Sequence, residues 1–325
     1  MTISYFFAMK KLFAFFLLMF VMSPMVSAQS TERDYMFQQI LLDGAELFSD
    51  VSATHNNALS IFWMADEGTV EGYSDGTFRP DQPVNRAELM KMVTFESVES
   101  SVDNFQNCFP DVTDQWFAPY VCLGYNEGWV EGYPDGNFRP GDNVNRVEAM
   151  KIILNALISQ EEWPTPTDAD FSVEMPADLD MNAWYAGHAR FAIVKELVDG
   201  WHVTQNPDGT VNYYPADNMT RKEVAEMMFR IMNWMMDRSA YVEIMTEATC
   251  YLVENDGVLS EEDLKAGFVA VIEKYGYTED TMNTLVLKME GDDVVQARFE
   301  EALIQTCGQQ EVPIGDPQGA AEIGG

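Results

Sequence analysis

Three arginines stand where an isolated helix would least favour a cation. Arg86, Arg146 and Arg221 each follow a residue with N-cap character (Asn85, Asn145, Thr220) and precede a glutamate at the third helical position (Glu88, Glu148, Glu223). That spacing predicts a capping box, with the glutamate reaching back to the cap. A cation in the first turn meets the positive end of the macrodipole, at a cost of about 0.3 kcal/mol or more. The same penalty at three places points to a compensating anion, because free helix N–H groups and a guanidinium fork suit a carboxylate or phosphate. The alternative is that each arginine pairs with an Asp or Glu of its own repeat or covers an aromatic with its stem. Exposed pairs of that kind are common and contribute little. The residues alone leave both open.

The surrounding elements repeat as well. Glu71–Met92 reappears sixty residues later as Glu131–Ile152, with 14 of 22 positions identical. A looser third copy runs through Val198–Trp201, Pro207-Asp208-Gly209-Thr210, Tyr214-Pro215 and Thr220–Glu223. The copies share an opening, Phe48-Ser-Asp-Val51 and Phe109-Pro-Asp-Val112, with Asp178-Leu179 more distant; Trp116-Phe117 and Trp184-Tyr185 occupy equivalent places. Each copy reads as helix, turn-rich loop, helix. In copy two the first helix carries Tyr120, Leu123 and Trp129 at helical spacing and is expected to end at Gly132. Ser74-Asp75-Gly76 and Pro134-Asp135-Gly136 are turns in which Gly supplies positive φ and the Asp serves its own turn. Pro80, Pro140 and Pro215 keep the following stretch extended.

Composition narrows the function classes. The 325 residues carry 19 Lys and Arg against 53 Asp and Glu, a formal charge of −34, with 47% hydrophobic residues. Packed cores are therefore expected, while a phosphate backbone or an anionic membrane surface is disfavoured as partner. Three histidines leave little material for a His-rich metal site or relay. Neither a metal nor a cofactor is predicted.

Residues 1–28 hold Lys10 and Lys11, an apolar run Leu12–Met22, Pro24 and the small-residue site Val26-Ser27-Ala28. That order predicts a secretory signal, with Met1 or Met9 as start. Export permits disulfides, and the positions favour Cys108–Cys122 and Cys250–Cys307 as structural bonds. After Arg238 the repeat gives way to amphipathic helices: a long one running on from copy three through Tyr241–Glu254 to a stop at Asp256-Gly257, then one opening at Ser260, one at Thr278 and one over Val294–Thr306. Asn255–Asp263 looks like the latter half of a calcium loop, but Leu252 and Asp263 fall where carboxylate and Glu ligands are wanted, so a helix-turn-helix corner is preferred. Gln309–Gly325 is Gly-, Pro- and Gln-rich and reads as disordered.

The repeat residues resemble the S-layer homology family, through Gly72-Tyr-Ser-Asp-Gly-Thr-Phe-Arg-Pro80 with Asn85-Arg-Ala-Glu88, Gly132-Tyr-Pro-Asp-Gly-Asn-Phe-Arg-Pro140 with Asn145-Arg-Val-Glu148, and Thr220-Arg-Lys-Glu223. The resemblance implies a mainly α fold, three helix-loop-helix repeats in a pseudo-threefold bundle with grooves between lobes, plus a small C-terminal all-α domain. The expected limits are signal 1–28, lead-in 29–47, repeats 48–101, 102–165 and 166–238, helical domain 239–308 and tail 309–325. The resemblance further implies non-covalent anchoring to an acidic, often pyruvylated, envelope polysaccharide, with Arg86, Arg146 and Arg221 contacting the acidic sugar. Tyr73, Tyr133, Trp116 and Trp184 offer faces for sugar stacking, although large aromatics more often serve as core. Copy one has Asn56-Asn57 in place of Trp116-Phe117, so its groove is expected to lack an aromatic wall.

The function expected is thus an exported, non-enzymatic surface protein held to envelope polysaccharide. The alternatives are an S-layer or adhesion subunit whose repeats mediate assembly, and a wall-anchored carbohydrate-active hydrolase. The hydrolase is weaker, because 53 acids make carboxylate pairs inevitable and no segment outside the repeats suits an ordinary catalytic fold.

Overall fold

The computed structural model describes residues 32–94, 105–158, 162–198, 204–205, 210–255 and 257–307. The expected signal and tail lie outside these residues, as do Asp199–Trp201 and Pro207–Gly209 of the third copy and Asp256 of the calcium-loop candidate. The protein is mainly helical and divides into two compact units, one over Arg33–Met236 and another beginning at Asp237.

In the larger unit α1 (Glu32–Gly44) leads into three helix pairs: α2 (Ala58–Asp66) with α3 (Arg86–Val93), α4 (Ala118–Asn126) with α5 (Arg146–Leu157), and α7 (Ala186–Val194) with the start of α8 (Arg221–Asn255). A one-turn α6 (Asp168–Ser172) and a two-residue antiparallel pair, β1 (Thr204–Gln205) with β2 (Val211–Asn212), lie within the third. Helix α4 stops at Asn126, earlier than the apolar spacing suggests. Gly128 turns left-handed at φ 77° and Trp129 N–H caps the Gly124 carbonyl; Gly132 lies in the loop beyond.

The cap chemistry is graded across the repeats. Asn85 and Glu88 form the full reciprocal box. Asn145 accepts from Glu148 N–H, while the Glu148 carboxylate accepts from the Tyr133 hydroxyl at 3.3 Å. In the third pair Glu223 accepts from Thr220 N–H at 2.6 Å, but the buried Thr220 hydroxyl has no partner.

The residue before each cap belongs to a closed backbone cycle. Val84 N–H donates to Met219, Met219 N–H to Val144, and Val144 N–H to Val84, at 2.9, 2.9 and 3.0 Å. All three side chains are buried in one apolar cluster that also holds Phe78, Phe138 and Tyr213. Phe37 of α1 joins it against Phe229. Burial of such side chains, each contributing about 2 kcal/mol, is what holds the helices to one another. The disulfide Cys108–Cys122 staples α4 to the Phe109 loop.

The smaller unit packs the end of α8 with α9 (Glu261–Lys274), α10 (Glu279–Met289) and α11 (Asp293–Thr306) around Ile244, Phe268, Met282 and Phe299. Ser260, Thr278 and Asp292 cap the three last helices. Asp263 closes the Ser260 cap, so its carboxylate serves the corner. A buried ion pair joins Arg238 to Asp292 at 3.0 Å, and Cys250–Cys307 ties α8 to the end of α11.

Candidate functional site

Each repeat loop is held by one carboxylate from the shared opening. Asp50 accepts from Phe78 and Arg79 N–H at 2.7 and 2.8 Å, and Asp111 accepts from Phe138 and Arg139 N–H at 2.9 and 2.7 Å. Asp178 does the same for Tyr213 and Tyr214, both at 2.7 Å. The second residue of each pair is left-handed, with φ of 58° at Arg79, 60° at Arg139 and 56° at Tyr214, and a proline follows it. A side chain resists that backbone, so the two charge-assisted bonds compensate the strain. Asp75 and Asp135 serve their own turns, as expected, and also pair with Arg79 and Arg139. The Thr77 and Arg79 donors around Asp75 hold its carboxyl down at about 2. Arg79 and Arg139 lie over Tyr73 and Tyr133 at 3.8 and 4.1 Å.

The helix-opening arginines reach across to neighbouring repeats. Arg86 Nε donates to Phe138 O of repeat two at 2.9 Å, and Arg221 Nε donates to Phe78 O of repeat one at 2.8 Å. Arg221 also donates to Glu71 O, and Arg146 reaches Tyr213 O and the Glu223 carboxylate of the third pair. Each guanidinium thus bridges to a neighbour, and the third returns to the first. The N–H groups at the helix starts are occupied as well. Arg86 and Ala87 donate to Asp142 and Pro140, Arg146 and Val147 to Asp217 and Pro215, Arg221 and Lys222 to Gln82 and Pro80. The expectation of free N–H groups awaiting an anion is therefore corrected: neighbouring-repeat carbonyls fill that place. Burial follows, with Arg86 and Arg221 only 5% and 7% exposed. That burial also pulls the Arg221 pKa downward, against the opposing influence of Tyr73 and Glu88.

The three surroundings differ. Beside Arg86 lies a groove of about 290 Å³ lined by Glu131, Tyr133, Glu148, Lys151 and Trp184. Arg86 lies 4.8 Å over the Tyr133 ring and 3.9 Å from Glu148. Burial pushes the Tyr133 hydroxyl pKa up, partly offset by Arg86. Beside Arg146 the cavity shrinks to about 10 Å³ between Tyr213, Glu223 and Glu226. Beside Arg221, Tyr73 lies at 5.1 Å, and Lys91 closes on Glu71 at 3.0 Å.

The structure therefore brings Arg86, Tyr133 and Trp184 together and places Arg221 with Tyr73. Trp116 and Trp184 are 59% and 58% exposed, which corrects the core role expected of them. Trp184 comes from the third pair yet walls the groove of repeat two. The aromatic of one repeat thus serves its neighbour, and the effect of Asn56-Asn57 has to be sought there rather than in repeat one. Asn57 is buried and donates to Glu226, in the closed site beside Arg146. Sequence reasoning passed over Lys151, which has no motif of its own, and the clamp role of Asp50, Asp111 and Asp178, which the shared opening could have signalled.

Among the described residues no helix is long and apolar enough to cross a membrane. The family model for the S-layer homology domain matches residues 47–90 and 109–150. The chain is 32% identical over 123 residues to Cell surface glycoprotein 1 of Acetivibrio thermocellus, covering 35% of this chain and 5% of that protein. It is 30% identical over 116 residues to the Cellulosome-anchoring protein of the same organism, covering 34% and 26%. Over 168 residues it is 26% identical to the Surface-layer 125 kDa protein of Lysinibacillus sphaericus, covering 51% and 13%. The chain therefore spans about a quarter or less of the length of these relatives.

Proposed function

We propose that this chain is an exported cell-envelope protein whose repeats hold it non-covalently to an acidic envelope polysaccharide. The observation that carries this reading is the groove beside Arg86. There a guanidinium, an ammonium, two carboxylates and an indole more than half exposed line about 290 Å³ of open space. A hydroxyl-rich ring stacks on such an indole, and paired polar groups of both signs match hydroxyls and an acidic substituent. The names of the relatives, a cellulosome-anchoring protein and surface-layer proteins, support a surface location.

The closed backbone cycle through Val84, Val144 and Met219 favours three repeats, 48–101, 102–165 and 166–238, in a pseudo-threefold bundle. We assign polysaccharide contact to Arg86, Tyr133 and Trp184, with Tyr73, Trp116 and Arg221 forming a second site and Arg146 a third, closed one. Residues 239–308 act as spacer or interaction surface. The protein performs no catalysis in this reading.

Sedimentation with purified acidic wall polysaccharide, beside a neutral glucan, tests it. Retention on the acidic polymer alone is expected, reduced at least fivefold in Trp184→Ala. Equal retention on both polymers, or turnover of either, would reject it. A second reading, repeat-mediated assembly as in a surface layer, is favoured by the 168-residue match to a surface-layer protein. It predicts self-association in light scattering without polysaccharide.

A further inference from the structure

We propose that the third repeat carries a docking pocket for an aromatic side chain of a partner protein, one flanked by basic residues. The pocket is the slot that a phenylalanine of this chain fills in repeats one and two. It shares no lining residue with the groove beside Arg86, and the inference stands without the polysaccharide reading.

The clamping aspartates set the register. Phe48 precedes Asp50 by two residues, as Phe109 precedes Asp111 and Pro176 precedes Asp178. The Phe48 ring lies 5.3 Å from that of Phe78, and a Cβ on Gly72 would fall 2.6 Å from it. Phe109 packs at 5.5 Å on Phe138 and at 4.9 Å on Tyr125, against Gly132. Both phenylalanines are buried in one apolar cluster with Val70 and Val130, which stand two residues past the left-handed Gly68 and Gly128.

Copy three has no ring at that place. Pro176 is buried but lacks the reach of a phenylalanine. Ile193, three residues before the left-handed Glu196, stands where Tyr125 stands before Gly128. Val198, the counterpart of Val70 and Val130, is only half-buried. Pro176, Ile193, Val198 and Val211 instead line open space of about 440 Å³, within the size range of ligand pockets. Ala177 N–H donates to the Val211 carbonyl at 2.7 Å, which fixes one wall.

Apolar walls left uncovered gain from burying a phenyl-sized guest, and repeats one and two show which guest such walls take. Charge selects its flanks. Glu174 and Glu196 line the pocket, both exposed, and neither carboxylate is in an ion pair among the described residues. Arg230, also in the lining, gives its Nε to Glu226 at 2.7 Å and an Nη1 hydrogen to the Glu196 carbonyl at 3.2 Å. A lysine or arginine beside the incoming ring therefore meets open carboxylates, whereas an acidic flank is repelled.

Ligand-observed NMR titration of the full chain tests this with capped Lys-Phe-Lys, Lys-Ala-Lys and Glu-Phe-Glu peptides. Salt at about 150 mM screens acids beyond the pocket. Lys-Phe-Lys is expected to bind about tenfold more tightly than Lys-Ala-Lys and about threefold more tightly than Glu-Phe-Glu. Pro176→Phe, which returns the ring of the other repeats, removes the phenyl preference and keeps or raises the melting temperature. Ile193→Trp fills the same space from α7 and removes the preference too. Glu174→Gln with Glu196→Gln removes the preference for basic flanks and leaves that for phenyl. A phenyl preference absent from wild type, or surviving both Pro176→Phe and Ile193→Trp, would overturn the proposal. So would a preference that appears only in Trp201→Ala, since the slot would then be filled from within the chain. Equal binding of the Lys- and Glu-flanked peptides would overturn the basic partner.

Discussion

Arg86 Nε donates to the carbonyl oxygen of Phe138, at 2.9 Å and 52 residues away in sequence. The bond joins the start of one repeat's helix to the loop of the next, and Arg221 makes its counterpart with Phe78. A first-turn cation, unfavourable in an isolated helix, is thereby a tie between repeats. Arg86→Met is expected to lower stability by about 2–4 kcal/mol, because it leaves a buried carbonyl without its donor and Glu148 without its cation. Arg79→Met, whose pair with Asp75 is exposed, should lower stability far less. Urea unfolding distinguishes them, and equal losses would contradict the clamp role of Arg86.

Asp111 holds two backbone N–H groups on either side of the left-handed turn into Arg139. Asp111→Ala is expected to cost about 2–4 kcal/mol through two lost charge-assisted bonds. Arg139→Gly should leave the melting temperature close to that of wild type, since relief of the positive φ offsets the exposed ion pair. Thermal unfolding checks both, and a severe loss in Arg139→Gly would show that its side chain carries the loop.

Gly132 and Gly136 share positive φ, 75° and 82°, but not their surroundings. A Cβ on Gly136 meets open space, whereas on Gly132 it falls 2.6 Å from the Phe109 ring. Gly136→Ala should cost about 1 kcal/mol, from backbone strain alone. Gly132→Ala adds overpacking of about 1–3 kcal/mol. Similar melting temperatures for the two variants would refute the close approach.

His188 Nε2 donates to Asn155 Oδ1 at 3.0 Å, and the ring packs edge-on against Trp163. Burial first, and Lys151 second, depress its pKa from 6.5 to about 4. Between these values the unfolded chain binds a proton that the folded chain refuses. Its contribution is therefore fully present above pH 6.5 and is lost as pH falls through 4. His188→Gln should flatten the decline of melting temperature over that window, relative to wild type; parallel curves would exclude the effect.

The Cys250–Cys307 bond closes a separation of 57 residues. Replacing both by Ser should destabilise the smaller unit by about 4 kcal/mol on the chain-entropy account, against about 3 kcal/mol for Cys108–Cys122 across 14 residues. Denaturation followed at Tyr241 and Phe299, in the first case, and Trp129 in the second, separates the units. Losses in the reverse order would count against loop closure as the main cause.

Much of the architecture was readable along the chain because its determinants are local. Asn85 caps Glu88 three residues on, Gly76 turns beside Asp75, and Ser260 and Thr278 open helices within one turn of themselves. Such contacts depend on spacing alone, so the repeat pattern and the helix starts could be read from residue types. The early stop of α4 at Asn126 was missed, because apolar spacing continues past the point where Gly128 breaks the backbone.

The partners of the three arginines, and the repeat that each tryptophan serves, depended on the folded chain. Arg146 and Arg86 have similar sequence surroundings, yet one lies beside a nearly filled space and the other beside an open groove. The difference arises from Glu226, Asn57 and Trp184, residues brought from other repeats. Composition could say that a tryptophan is usually buried, but only packing leaves Trp184 exposed against Lys151. Local chemistry sets each element, whereas the space between elements is set by side chains far apart in sequence, and the ligand site is made of that space.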